Sequence, residues 1–171
     1  MRRILRRREI VVDDWRHRGE EPMDTPDADP AAEALIVPLA EFRANPASWR
    51  TRQGRLGVRL SPADSTEELS EELPRLSLIA IEFPGPGDGR GFTQARLLRT
   101  RLHFEGELRA VGAGVKQDLV FLMARCGFDS FELAPGQTFE DALKAFSRYT
   151  VAYQPGAPLE SIRQQRFFAA S

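Results

Sequence analysis

Residues 77–133 read SLIAIEFPGPGDGRGFTQARLLRTRLHFEGELRAVGAGVKQDLVFLMARCGFDSFEL. The apolar run Leu76 to Phe83 has the composition of a strand covered on both faces, and it stops at a turn carrying Gly85, Gly87, Gly89 and Gly91. From Thr93 to His103 the period changes to that of a helix, with Ala95, Leu98 and Leu102 on one stripe. Glu107 to Val111 is again a strand, Gly112-Ala113-Gly114 a second turn, and Val115 to Arg125 a helix that is apolar around most of its circumference. Gly127 suits a left-handed stop, and Asp129 to Leu133 forms a third strand. Parallel strands need a crossover to bring the chain back to the same end of the sheet, so this alternation predicts βαβαβ.

The same alternation extends in both directions. Upstream, Leu35-Ile36-Val37 is a short strand, and Leu39 to Trp49 a helix with Leu39, Phe42 and Trp49 inward, cut short by Pro46. Leu56 to Leu60 is the next strand, and Ser65 or Thr66 caps a helix through Leu73, with Glu67 and Glu68 where the helix dipole favours them. Downstream, Thr138 to Phe146 is amphipathic, with Phe139, Leu143 and Phe146 inward. Five strands and about five helices fall short of the eight units of a closed barrel. The expected fold is therefore a single α/β domain over 34–154, with an open, mostly parallel five-stranded sheet and helices on both faces. An incomplete β/α barrel is the alternative.

Around that domain, residues 1–18 read as a basic N-terminal arm (Arg2, Arg3, Arg6, Arg7, Arg8) with a short edge strand at Ile10 to Val12. Residues 19–33 are acidic and proline-rich, with too little apolar surface to offset ordering entropy, and are expected to be a flexible linker. Residues 155–171 form a tail for packing or partner docking, with Phe167 and Phe168 as anchors.

Composition narrows the function classes. With 24 basic and 25 acidic residues, no field over the whole molecule draws it to nucleic acid or membrane. No apolar run reaches the roughly 20 residues of a spanning helix, and the Arg-rich start lacks a secretory apolar segment, so a cytoplasmic location is expected. The lone Cys126, near a helix C-terminus, forms no disulfide within the chain and reads as a packing residue. His17 and His103 are far apart without a ligand pattern, so neither a zinc site nor a His-based triad is expected, and there is no flavin, haem or iron–sulfur motif.

Ligands of parallel sheets bind beyond the carboxyl ends of the strands. Gly87, Gly89, Arg90 and Gly91 at the first turn, and Gly112, Gly114 and Lys116 at the second, are therefore candidates for holding a small anion, although the spacing fits neither the dinucleotide fingerprint nor a P-loop. Arg59, Glu82, Arg109 and Glu132 sit near successive strand ends with alternating sign. They form either a ladder of cross-strand ion pairs or a site in which Glu82 and Glu132 act as acid and base while Arg109 orients an anion. Arg96, Arg99 and Arg101 form a basic stretch suited to docking an acidic protein surface.

The run from Gly89 to Leu133, with Leu35-Ile36-Val37-Pro38-Leu39-Ala40-Glu41-Phe42 and Asp13-Asp14-Trp15 upstream, resembles a bacterial family of unknown function, mostly proteobacterial. Its members are often encoded beside assimilatory sulfite reductase and commonly labelled oxidoreductases of sulfite reduction. The resemblance spans roughly Leu35 to Gln154. It departs at Ala113, where an acidic residue is expected after the first glycine. It implies sulfur assimilation as the process and a protein of the sulfite reductase system as partner. It supplies no catalytic residues and no cofactor.

Overall fold

The computed structural model describes residues 2–20, 33–85 and 87–148. One mixed sheet of eight strands organises them: β1 (Arg3–Arg6), β2 (Glu9–Val12), β3 (Trp15–His17), β4 (Ala34–Pro38), β5 (Leu56–Leu60), β6 (Leu78–Glu82), β7 (Glu107–Val111) and β8 (Ser130–Phe131). Their order is β2-β1-β8-β7-β6-β5-β4-β3. Strands β3 to β8 are parallel and stand in sequence order, while β1 runs antiparallel to both β8 and β2. The helices are α1 (Leu39–Ala44), α2 (Pro46–Arg50), α3 (Arg90–Thr100), α4 (Val120–Arg125) and α5 (Phe139–Arg148).

The order of the strands forces the sheet to curl. The edge strands β2 and β3 are seven steps apart, about 33 Å in a flat sheet. Yet only Asp13 and Asp14 separate them in the chain, and two residues bridge no more than about 11 Å. The sheet therefore rolls up until its edges approach. The fold is a curled partial barrel, the alternative of the two expected architectures, and not a five-stranded open sheet. The N-terminal segment expected to be a basic arm supplies three of its strands, two at one edge and one at the other.

Nor do helices cover both faces. Buried residues of α1, α3, α4 and α5 share one cluster with Leu35, Val37, Leu56, Val58, Leu60, Ile79, Ile81, Leu108, Ala110 and Phe131. The second cluster, Trp15, Ala34, Ile36, Leu78, Ala80 and Val111, contains no helical residue and lines the concave side. Strands laid down in sequence order send each crossover over the same face, because the handedness of the connection is fixed.

Several elements differ in detail from the sequence reading. Pro46 shortens the first helix but also starts α2, where its missing N–H costs nothing, with the Asn45 side chain accepting from Ser48 N. The expected helix after Ser65 forms two short 3₁₀ turns, Thr66–Leu69 and Leu73–Arg75. Helix α4 begins five residues later than expected, after turns through Gly114 and Lys116. The hairpin joining β1 to β2 puts two non-glycine residues, Arg7 and Arg8, at φ 49° and 66°, the pattern of a type I′ turn. The Arg7 N–H donates to Asp129 O at 3.1 Å, and the Arg8 guanidinium stacks 5.5 Å over the Phe146 ring. The bulk of the expected linker and the tail with Phe167 and Phe168 lie outside the described residues. No helix among the described residues is long and apolar enough to cross a membrane.

His103 follows α3 at φ 52°. A left-handed conformation costs a residue with a Cβ about 1–2 kcal/mol. His103→Gly should therefore raise the unfolding free energy by about 1 kcal/mol in urea titrations. A decrease would show that the imidazole makes a compensating contact.

Candidate functional site

On β7, Leu108 and Ala110 face the helices, so Glu107, Arg109 and Val111 face the concave interior. Arg109 is therefore placed inside the curl, with its side chain 0% exposed. Its Nη1 donates to Asp13 Oδ1 and Oδ2 at 2.9 and 3.0 Å and to Glu132 Oε1 at 3.3 Å. Its Nη2 donates to Glu107 Oε1 at 2.9 Å, and its Nε to the same oxygen and to Ser130 Oγ at 3.3 Å. Burial opposes the charge of this guanidinium, but Glu107, Asp13 and Glu132 together raise its pKa above the ordinary arginine value.

A second layer surrounds that centre. Arg2 Nε donates to Asp13 Oδ2 at 2.8 Å, its Nη2 to Trp15 O at 2.8 Å and its Nη1 to Glu20 at 2.9 Å. Arg6 lies 3.8 Å from Glu107 Oε2. His17 Nε2 lies 2.8 Å from Glu132 Oε1, while its Nδ1, in a residue 8% exposed, has no hydrogen-bond partner among the described residues. Burial alone would push the Glu132 carboxyl up, but the hydrogen bond from His17 and the charges of His17, Arg2 and Arg109 hold it below the ordinary glutamate value.

This arrangement redistributes the candidates. Arg109 and Glu132 do form a cross-strand ion pair. Arg109 is held by three carboxylates of its own chain. Arg59 and Glu82 belong to no such pair: both face the interior, half-buried, and no ion pair or hydrogen bond of their side chains joins them to another described residue. Among the described residues no three His, Cys, Asp or Glu side chains gather as a metal site. The guanidinium of Arg109 stands among the interior carboxylates as their counter-ion. The decisive partner, Asp13, was missed by sequence reasoning. Its one signal is the charged pair Asp13-Asp14 between β-prone Val12 and Trp15, which marks a corner between strands.

The glycine turns lie side by side on the rim, since β6 and β7 are parallel neighbours. Gly114 N donates to Phe83 O at 2.8 Å. A Cβ on Gly112, at φ 103°, would meet Phe83 O at 2.6 Å, and one on Gly114 would meet Gly85 O at 2.6 Å. These glycines allow two backbones to touch. The amides of Gly114, Val115 and Lys116 donate to Phe83 O, Gly112 O and Gly114 O. Gly87 and Gly89 are exposed, whereas Gly91 is buried against Phe83 and Ile81. Arg90 is held by Asp88, which also accepts from the Arg90 N–H. Lys116 is half-buried and has no ion-pair partner among the described residues.

Of the arginines expected to dock a partner, Arg96 and Arg101 are exposed. Arg99 instead turns inward, donating to Gly127 O at 3.0 Å, to Phe104 O and Gly106 O, and to Asp129 Oδ2 at 2.5 Å. It staples α3 to the turn before β8. Cys126 is half-buried, and burial pushes its thiol pKa up.

The chain is a small α/β protein, with a curled sheet, helices on one face and a charged interior. Within it, the family model described as a bacterial protein of unknown function (DUF934) matches residues 57–161. That is more than half of the chain, which belongs to this family. No curated protein matches it.

Glu132 makes the interior sensitive to acid. A carboxyl whose folded pKa lies below its unfolded value stabilises the fold at pH above the unfolded value. That contribution is lost as pH falls through the folded one. Unfolding free energy should therefore decline on acidification below the ordinary glutamate range, and Glu132→Gln should remove part of that decline. An acid limb of equal slope in both proteins would contradict the assignment.

Proposed function

We propose that this protein is an accessory component of assimilatory sulfite reduction that docks on sulfite reductase or on its electron donor. The sequence resemblance over roughly Leu35 to Gln154 supports the process. The solvent side of α3 and its C-terminal end support the docking. Three arginines stand out there: Arg90, Arg96 and Arg101, the last with a side chain 69% exposed. Arg101 meets Glu67 at only 3.5 Å, and Arg90 is paired with its neighbour Asp88.

Arg96 is the observation that carries this reading. It is exposed at mid-helix, and no ion pair or hydrogen bond of its side chain joins it to another described residue. An acidic partner surface complements such a face, and charges of this kind steer encounter and fix orientation more than they add affinity. Exposed charges are screened over about 8 Å at physiological ionic strength, so the complex is expected to weaken with salt. The reading assigns no chemical step to this chain.

The full chain, tagged and purified natively at moderate salt, should recover sulfite reductase or its donor. Arg96→Glu with Arg101→Glu should lose that recovery while changing the unfolding free energy by no more than ordinary surface substitutions do, about 0.5 kcal/mol each. A preparation free of both, together with normal sulfite reduction in a deletion strain, would overturn the proposal.

A further inference from the structure

Seven interior side chains are mutually paired: Arg2, Arg6, Asp13, His17, Glu107, Arg109 and Glu132. Two others are not. Arg59 stands between Val58 and Leu60, and Glu82 between Ile81 and Phe83; those four neighbours all belong to the helix-side core, so Arg59 and Glu82 point the other way. Arg59 is opposite Ala80, and Glu82 lies two residues beyond Ala80 on the adjacent strand. That makes them diagonal neighbours, a separation long side chains can span. They nevertheless form no pair with each other or with any described residue.

Their position is the end of the sheet at which parallel strands hold ligands. Glu82 is the last residue of β6 and Arg59 the next-to-last of β5, at the strand ends where parallel sheets hold their ligands. The interior positions beside them are occupied by Ala80 and Val111, both small and buried. Charge in a half-buried setting is costly until it is matched. Here a cation and an anion are each unmatched, side by side.

We propose that Arg59 and Glu82 bind the two charged ends of one small zwitterion, an α-amino acid with an uncharged side chain. Its carboxylate meets the Arg59 guanidinium in a two-pronged hydrogen bond, and its ammonium meets the Glu82 carboxylate. A lone inorganic anion satisfies Arg59 only and is repelled by Glu82. A simple amine has the opposite fault. The side chain of the amino acid rests against Ala80 and Val111. This site lies inside the sheet, away from the exposed arginines of α3, and does not depend on the docking reading.

Thermal shift and calorimetry on the full chain test the proposal. The probes are the uncharged α-amino acids, with sodium sulfate, sodium sulfite and methylammonium chloride as singly functional controls, each up to about 10 mM, a weak-binding limit. At least one amino acid should bind and raise the midpoint while the controls do not. Arg59→Leu and Glu82→Gln should each weaken that binding by at least about tenfold. In the absence of any probe, both variants should leave the midpoint unchanged or raise it, since each removes an unmatched charge. The proposal is overturned if no amino acid binds, if an inorganic anion alone binds as well, or if either variant binds like the parent protein. It is equally overturned if the variants lower the unliganded midpoint, because the two charges would then already have partners.

Discussion

The contact between Arg109 and Asp13 holds the rest of the structure in its shape. The two residues are 96 positions apart in sequence and both side chains are fully buried. Asp13 occupies the corner where the chain leaves one edge of the sheet for the other, and Arg109 stands on the opposite wall. Their bond fastens that corner to the middle of the sheet. A buried pair is not in itself a strong source of stability, because removing two charges from water offsets much of their attraction. What it supplies is position: any other curvature would part Asp13 from Arg109, leaving the guanidinium only the two carboxylates that β7 and the end of β8 themselves bring, Glu107 and Glu132.

The two faces of the sheet follow different rules as a result. Outside, ordinary apolar burial seats α1, α3, α4 and α5 on Leu35, Val58, Ile79, Ile81 and Leu108. Inside, one small apolar cluster adjoins a charged group, in which Glu107, Asp13 and Glu132 balance Arg2, Arg6 and Arg109. Arg2 and Arg6 are interior counter-ions, while Arg3 and Arg8 lie over the rings of Phe139 and Phe146 and help seat α5.

Strands β4 to β7 and the crossovers between them were legible in the sequence, because each is a short apolar run bounded by glycine or proline. That the two glycine turns share one end of the sheet followed from the crossover rule; that they are neighbours rests on the pairing of β6 with β7. The curl was not legible, since it depends on where β1, β2 and β3 pair. Arg2-Arg3-Ile4-Leu5-Arg6 looks like a solvated terminus until Asp13 and Glu107 are known to await its arginines. Alternation of sign among Arg59, Glu82, Arg109 and Glu132 was visible, but not that only the latter two are partners. That division depends on registry with residues outside the four. Arg99 was misread for the same reason: its acceptors are mostly backbone carbonyls created by the turn at Gly127.

The claim that Asp13 and Arg109 act as one unit across the curled sheet is tested most directly by a double-mutant cycle in unfolding free energy, using Asp13→Leu and Arg109→Met. Each single change strips a buried charge of one partner, with Asp13 keeping Arg2 and Arg109 keeping Glu107 and Glu132, and should cost about 2–3 kcal/mol. The double variant should cost no more than either single one, giving a coupling of at least about 2 kcal/mol. Additive losses would contradict the account, for they would mean that the corner at Asp13 and the interior of β7 are stabilised separately.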